Sequence, residues 1–370
     1  MFAMLPNPIN SKACAFPALI YSPLLCLLLV LGLGGCTSTK VPEFEVMPDY
    51  AEVYHPLINV AELNIVRGEY ADALSAYKQA FASVPTPFAR DYYNAAVSAV
   101  QLQDEKQAFG YLEQLVLKGV SLPYLERQQV FDSLRTTKAW KKFERQYPKN
   151  RSKFEETLNK ELRADLDELY ARDAYFRLAE GGLRVHGDTI RKIETANVEN
   201  LLAWIEEYGY PGEQLIGVAD TLEQLPRFSI VIQRQTKARK GYDFTEILTK
   251  AVKEGRLAPQ PVAYLLDQQA GKGLYGSKAF VTVNCTRCKE QEKPQRYLVE
   301  KMSEEELERI NKRRAPLGLE PLDDYKKKVL FGLGNNVFKL NYDWSVVEYK
   351  VPSREAASVL LEGLTAAEPE

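Results

Sequence analysis

Arg67-Gly68-Glu69-Tyr70-Ala71-Asp72-Ala73-Leu74-Ser75-Ala76-Tyr77-Lys78-Gln79-Ala80-Phe81, followed by Ala82-Ser83-Val84-Pro85, carries the pattern that sets the architecture of the first half of the chain. Ala73, Leu74, Tyr77, Ala80 and Phe81 recur at helical spacing and line one face of a helix, which Pro85 ends. Upstream, Leu57, Val60, Ala61 and Ile65 form another helical stripe, closed by Gly68. A glycine just past the last periodic apolar residue is a helix stop. Ala73 and Ala80 are small, so the two helices can approach closely.

The arrangement returns after 35 residues, Ala73 matching Ala108. Ala95, Ala96 and Ala99 line the first helix of this second pair, and Ala108, Leu112 and Leu115 the second. Gln103 stands where Gly68 stood, and the terminal proline has no counterpart. Val130, Leu134, Trp140 and Phe143 read as a cap over the open end, since each unit of a repeat array buries its face only against a neighbour. At Gly68, Tyr70, Ala73, Tyr77, Ala80 and Pro85 the chain resembles the tetratricopeptide repeat. The resemblance implies a right-handed superhelix with a concave groove that binds peptides or proteins, and it brings no catalytic residues. Asn64, Tyr93 and Asn94 are candidate groove positions, with solvated or structural roles as the alternative. An unrelated helical hairpin domain is the other reading of the whole region.

Tyr147-Pro148-Lys149-Asn150 reads as a break between a repeat domain over 51–147 and a second domain over 151–360, with Asn150 or Ser152 capping the next helix. Phe154, Leu158, Leu162, Leu166 and Leu169 predict a long amphipathic helix toward Ala179, ended by Gly181-Gly182. Further helices are expected at 198–208 (stopped by Gly209 and Pro211), 244–254 (stopped by Gly255) and 259–270. Ser303 and Glu306 form a capping-box pattern for a helix through Arg314. Phe338, Leu340, Tyr342, Trp344 and Val346 alternate with polar residues and predict a half-buried strand. Val347, Tyr349 and Val351 continue on the opposite parity, which implies a bulge at Val346-Val347. Phe280, Val281 and Val283 read as another strand, with Tyr297 to Val299 as its partner, and the tail from Glu362 reads as frayed. The expected fold is mainly α: tetratricopeptide-like hairpins followed by an α-rich domain with a small antiparallel β portion.

Asp173 and Arg177 are followed by Asn200, Gly209, Pro211 and Gly217, by Tyr275-Gly276-Ser277, and by Arg313-Arg314, Gly318-Leu319, Pro321-Leu322 and Tyr325. Through these positions residues 165–328 resemble a bacterial domain family of unknown function. In that family Thr-Gln follows the Tyr-Gly pair, where this chain has Ser277-Lys278. Its Gln-His pair has no counterpart either, Gln233-Arg234 or Gln235-Thr236 standing there, so no histidine-dependent activity is carried over. Asp173 and Arg177, four apart on a helix, can pair locally. Joined by Asp267, Arg313 and Arg314, they would make a polar site for a carboxylate or phosphate, since arginine offers a bidentate fork. A salt-bridge network between helices is the alternative.

Cys285 and Cys288 follow the strand-like stretch Ala279 to Val283. A redox-active pair needs a helix start to lower the first thiol pKa, but the polar sequel contains Pro294 and no apolar stripe. Two thiols are half a structural zinc site. The pair therefore reads as a disulfide clip, with a redox pair, free thiols or a metal as alternatives, and no metal or cofactor is expected.

Leu33-Gly34-Gly35-Cys36 ends an apolar run and resembles the lipobox of bacterial lipoproteins. The resemblance implies a signal peptide over 1–35, lipid on Cys36 and a tether over 36–50; an ordinary cleaved signal or an anchor helix are the alternatives. Thr37 after the cysteine, rather than Asp, suggests by the same resemblance the outer membrane, with the protein facing the periplasm. The whole chain carries 48 Lys and Arg against 50 Asp and Glu. Losing Lys12 with the signal leaves a near balance and no electrostatic footprint for nucleic acid. The first expected function is a lipid-anchored interaction or scaffold protein that recruits a protein or peptide through its repeat groove. A periplasmic enzyme or small-ligand binder using the Asp/Arg cluster is the second, and thiol–disulfide exchange at Cys285 and Cys288 the third.

Overall fold

The periodic stripes of the first hundred described residues fold into paired helices. The structure, a computed structural model, describes residues 47–219, 221–285 and 297–367. The expected signal, Cys36, the first part of the tether and Cys288 lie outside the described residues. α1 (Tyr50–Val53) is one turn, capped by the Asp49 carboxylate accepting from Ala51 N at 2.9 Å. α2 (His55–Val66) packs on α3 (Tyr70–Ser83), and α4 (Ala89–Gln101) on α5 (Glu105–Leu117). Ala73, Tyr77, Ala80, Ala95, Ala96, Ala99 and Ala108 are fully buried between them, whereas Val60, expected on the first stripe, is 49% exposed. After α6 (Leu122–Glu126), a 3-10 turn at Gln129–Phe131 and α7 (Asp132–Arg135), the chain enters α8 (Lys138–Thr157). Leu134, Trp140 and Phe143 are buried at the end of this stack, with Phe109 against the Trp140 and Phe143 rings.

The break expected at Tyr147–Asn150 does not form. α8 runs through it with Pro148 inside. A helix-interior proline costs about 3 kcal/mol. Burying Trp140, Phe143 and Phe154, on both sides of Pro148, contributes roughly 1.5–3 kcal/mol each and outweighs it. The Phe154 ring fits between Gly119 (φ +98°) and Gly217 (φ +74°), where an added Cβ would come within 2.5 and 2.6 Å of its Cζ. The amphipathic helix expected to continue from Phe154 is instead interrupted: Asn159 Oδ1 accepts from Leu162 N at 3.0 Å and starts α9 (Lys160–Leu178). α10 (Gly182–Tyr208) starts well before the expected residue 198 and stops at Gly209.

The second half continues with α11 (Glu213–Ile216), α12 (Ser229–Lys237), α13 (Thr245–Lys253) and α14 (Pro259–Ala270). Next come β1 (Phe280–Cys285), β2 (Leu298–Glu300) and α15 (Glu304–Arg314), the last capped by Ser303 Oγ accepting from Glu306 N at 3.2 Å. α16 (Leu322–Gly334), β3 (Val346–Val351), α17 (Arg354–Leu361) and β4 (Leu364–Ala366) complete the order. The strands lie in the sequence β3-β1-β2-β4. β1 pairs antiparallel with β2 through Val281 and Leu298, but parallel with β3 from Phe280–Val346 to Cys285–Val351. The sheet is therefore mixed, not antiparallel: parallel neighbours need a crossover, and α15 and α16 supply it. The tail read as frayed forms β4, antiparallel to β2.

The alternation from Phe338 to Val346 is not a strand. Residues 338–342 belong to no strand, Phe338 lying in a bend, and a 3-10 turn at Asp343–Ser345 replaces the expected bulge. The alternation reports burial against helices instead: Phe338 and Leu340 join the core of the helix pairs, and Tyr70 stacks on Phe338 at 5.9 Å. Val218 and Leu222 enter the same core. From Met47 onward the chain forms one compact unit, mainly helical with a small mixed sheet. No helix among the described residues is long and apolar enough to cross a membrane.

Candidate functional site

The first helices of the two pairs present a polar face, and the chain's own later segments cover it. Asn94, on α4, grips the backbone of Lys339 from both sides: its Nδ2 donates to Lys339 O at 3.1 Å and its Oδ1 accepts from Lys339 N at 2.8 Å. Arg90, one turn earlier, donates to Lys339 O at 2.7 Å and Asn341 O at 3.0 Å, with its guanidinium 3.9 Å from the Tyr342 ring centre. Of the expected groove residues, Asn94 thus holds a segment belonging to the chain itself. Tyr93 is fully buried, its hydroxyl donating to Gln128 at 3.2 Å, and Asn64 is buried and accepts from Arg67 at 3.4 Å.

Beneath this segment lies a cavity of about 130 Å³. α2 and α4 form one wall with His55, Glu62, Arg90 and Asp91; the stretch around α11 brings Tyr210, Glu213 and Thr221; the start of α14 brings Gln260; Glu320, Lys328 and Leu340 close it. Several of its charged groups are already matched. Lys328 Nζ sits 2.5 Å from Glu62 and 2.7 Å from Glu320. Burial works to lower the Lys328 pKa, but Glu320 and Glu62 outweigh it and hold the ammonium charged. Glu320 also lies 3.6 Å from the fully buried Arg314, so burial raises its pKa less than Lys328 and Arg314 lower it. Glu213 Oε2 accepts from Ala89 N at 2.9 Å, capping α4, whose own N-cap residue Phe88 has no side-chain acceptor.

Two groups in this wall titrate far from their ordinary values. Asp91 accepts from the Tyr54 hydroxyl at 2.6 Å, and burial, with the Glu62 charge, pushes its pKa up to about 7. Burial takes His55 down to about 3, so the imidazole is neutral at neutral pH; it stacks on Phe88 at 5.8 Å. What is left unmatched is neutral: His55 Nε2, Tyr210 OH and Gln260 Oε1 are buried without a hydrogen-bond partner. Arg90 Nη1 and Thr221 Oγ1 also lack a well-formed bond, although Tyr342 and Glu223 respectively lie near enough to interact.

The Asp/Arg residues singled out in the sequence fall into two networks with no bond between them among the described residues. In one, Asp173 accepts from Arg177 at 3.0 Å and Arg234 at 3.2 Å, and Arg177 also pairs with Glu194. In the other, Asp267 accepts from the N–H groups of Tyr275 at 2.7 Å and Ser277 at 2.9 Å. Arg314 donates to Glu320 O at 2.6 Å and Tyr275 O at 2.7 Å, while Arg313 is exposed on the rim of a second cleft. These are helix and loop clamps. Cys285 is disulfide-bonded and buried at the end of β1. Gly68 and Pro85 end helices, and Tyr70, Ala73, Tyr77 and Ala80 pack between them. Among the described residues no group of His, Cys, Asp and Glu side chains is arranged to hold a metal ion.

No local pattern signals the cavity, because its walls come from six separated stretches and its unpaired atoms belong to ordinary polar residues. No protein-family model, curated protein or solved structure matches the chain.

Proposed function

We propose that this chain is a non-catalytic binding protein of the cell envelope, lipid-anchored through Cys36, whose ligand is a compact uncharged polar molecule held in the cavity between α2, α4, α11 and α14. The observation that carries this reading is the set of buried, unpaired atoms on its wall: His55 Nε2, Tyr210 OH and Gln260 Oε1. Leaving a buried polar group unmatched costs about 1–3 kcal/mol each, and a ligand that pairs with all three recovers that cost. Lys328, Glu62, Glu320 and Glu213 already have partners, and the Arg90 guanidinium is turned to the carbonyls of Lys339 and Asn341, so little of the wall's charge is left for an ionic ligand. The Gln260 carbonyl oxygen calls for a donor on the ligand, and Ile58, Phe88, Leu225, Leu257 and Leu340 call for an apolar part. An apolar cavity of about 150 Å³ takes up benzene, so this one, at about 130 Å³, suits roughly five or six non-hydrogen atoms.

Water is the competing occupant. Native mass spectrometry of the purified full chain is expected to find one bound molecule per chain, and to lose it in the Tyr210→Phe, Gln260→Leu double variant. Both changes keep the shape of the wall, and circular dichroism checks the fold. A high-resolution crystal structure with only ordered water in the cavity would end this reading.

The Asn94–Lys339 clamp favours a second reading, that the helix-pair face recognises extended peptide. Its partner would have to displace residues 337–342. A peptide of that sequence, added in excess, should then bind the full chain only when Asn94 is intact.

A further inference from the structure

We propose that a second cleft, between α14, α15 and the sheet, binds a ligand bearing clustered phosphate groups. The cleft measures about 800 Å³, against about 130 Å³ for the inner cavity, and falls in the usual range for ligand sites. Seven basic side chains and three carboxylates line it, an excess of four positive charges on a chain whose formal net charge is −2. Four of the cations, Lys237, Lys272, Lys278 and Arg309, have no ion pair among the described residues. Elsewhere on the rim partners exist: Lys326 lies 3.5 Å from Asp323, and Lys301 donates to Glu362 O at 2.9 Å. Unpaired like charges around one concavity focus a positive potential into it. Asp267, the most deeply placed carboxylate, accepts from the N–H groups of Tyr275 and Ser277, and its charge is already subtracted in that excess of four.

The loop Gly271-Lys272-Gly273-Leu274-Tyr275-Gly276-Ser277-Lys278 joins α14 to β1 and forms one side of the cleft. At Gly271 and Gly273 nothing lies within 4 Å of where a Cβ would stand, so a ligand can reach bare backbone. Among the described residues the N–H groups of Gly273, Gly276 and Lys278 have no hydrogen-bond partner. Free backbone donors beside lysines suit phosphate oxygens, which lysine binds as a point charge. A carboxylate would draw more on paired arginine forks, and only Arg309 and Arg313 are present. The loop follows a helix and precedes a strand, the reverse of a nucleotide-binding glycine loop, so the phosphates are recognised by charge rather than as part of a nucleotide.

Two sources share this chemistry, a soluble phosphate compound and a phospholipid surface. Calorimetric titration of inorganic pyrophosphate into the full chain is expected to show binding that weakens with salt. The Lys272→Ala, Lys278→Ala, Arg309→Ala variant should bind roughly tenfold or more weakly. All three side chains are exposed, and circular dichroism checks the fold. In parallel, the compact unit from Met47 is sedimented with vesicles of phosphatidylcholine, with and without phosphatidylglycerol. Sedimentation that needs phosphatidylglycerol and those three residues supports the headgroup source; pyrophosphate binding without it supports the soluble source. Absence of both, or binding unchanged in the triple variant, overturns the proposal.

Discussion

Gly68 and Gln103 occupy the same point of two successive helix pairs, and only Gly68 suits the backbone there. Both have positive φ, +76° and +57°. The bonding repeats as well: Gly68 N to Ile65 O and Gln103 N to Val100 O are both 2.9 Å, while Glu69 N to Asn64 O is 2.8 Å and Asp104 N to Ala99 O is 2.9 Å. An L-residue in this left-handed region costs about 1–2 kcal/mol. Gln103 is exposed, so little packing is lost with its side chain. Gln103→Gly should therefore stabilise the chain by roughly 1 kcal/mol, read as a higher denaturant midpoint with unchanged slope. A midpoint at or below wild type would contradict it.

Asn94 is the residue whose removal should free the segment lying on the helix pairs. Asn94→Ala deletes both bonds to Lys339 and leaves that residue's part-buried N–H without its acceptor. The loss should be about 1–3 kcal/mol. Hydrogen exchange is the sharper readout: amides of residues 337–342 should exchange faster while those of α3 and α5 change little. Equal acceleration throughout would mean that the segment has no separate opening.

How far the sequence foretold this follows from where each signal arises. The stripes of α2 to α5 depend on neighbours within one or two turns, so Ala73, Tyr77 and Ala80 could be placed from spacing alone. The caps at Ser303 and the stops at Gly209 and Gly255 are equally local. The segment 338–346 shows the limit: alternation records which side chains are buried, not what buries them, and Phe338 and Leu340 are buried by helices far back in the chain. Pro148 marks a break only locally, since its cost to the helix is offset by the burial of Trp140, Phe143 and Phe154. Asp173 and Arg177 pair as their spacing allows, but they do not join Asp267 and Arg314, because convergence of separate helices is long-range geometry that no spacing encodes.

Asp91 and His55 should make stability respond to pH in opposite senses. Asp91 rises from 3.8 to about 7 on folding, so the folded chain holds its proton more tightly. Its contribution is present below about pH 4 and is lost as pH climbs toward 7. His55 falls from 6.5 to about 3, so its contribution is present above about pH 6.5 and is lost as pH drops toward 3. Each slope can reach about 1.4 kcal/mol per pH unit, and the two offset one another between about pH 4 and 6.5. Asp91→Asn should expose the His55 slope, with Tm rising over that interval. His55→Gln should expose the other, with Tm falling from pH 4 to 7. Parallel Tm profiles for both variants and wild type would show that neither group is shifted as described.

Lys328 should be the least replaceable charge in the wall. It stands between Glu62 and Glu320, 97% shielded from solvent on its side chain, and also lies 3.3 Å from the Asn59 amide oxygen. Lys328→Met keeps much of the volume but leaves two carboxylates facing each other in a buried site. Removing one partner of a buried ion pair costs about 3–5 kcal/mol. Arg314 still serves Glu320, so the stranded charge is chiefly that of Glu62. Adding Glu62→Gln to Lys328→Met should therefore restore a large part of the loss, because Glu320 keeps its arginine and the like-charge contact is gone. Guanidinium unfolding of the single and double variants at neutral pH measures the effect, and equal midpoints for the two variants would show that the charge of Glu62 does not depend on Lys328.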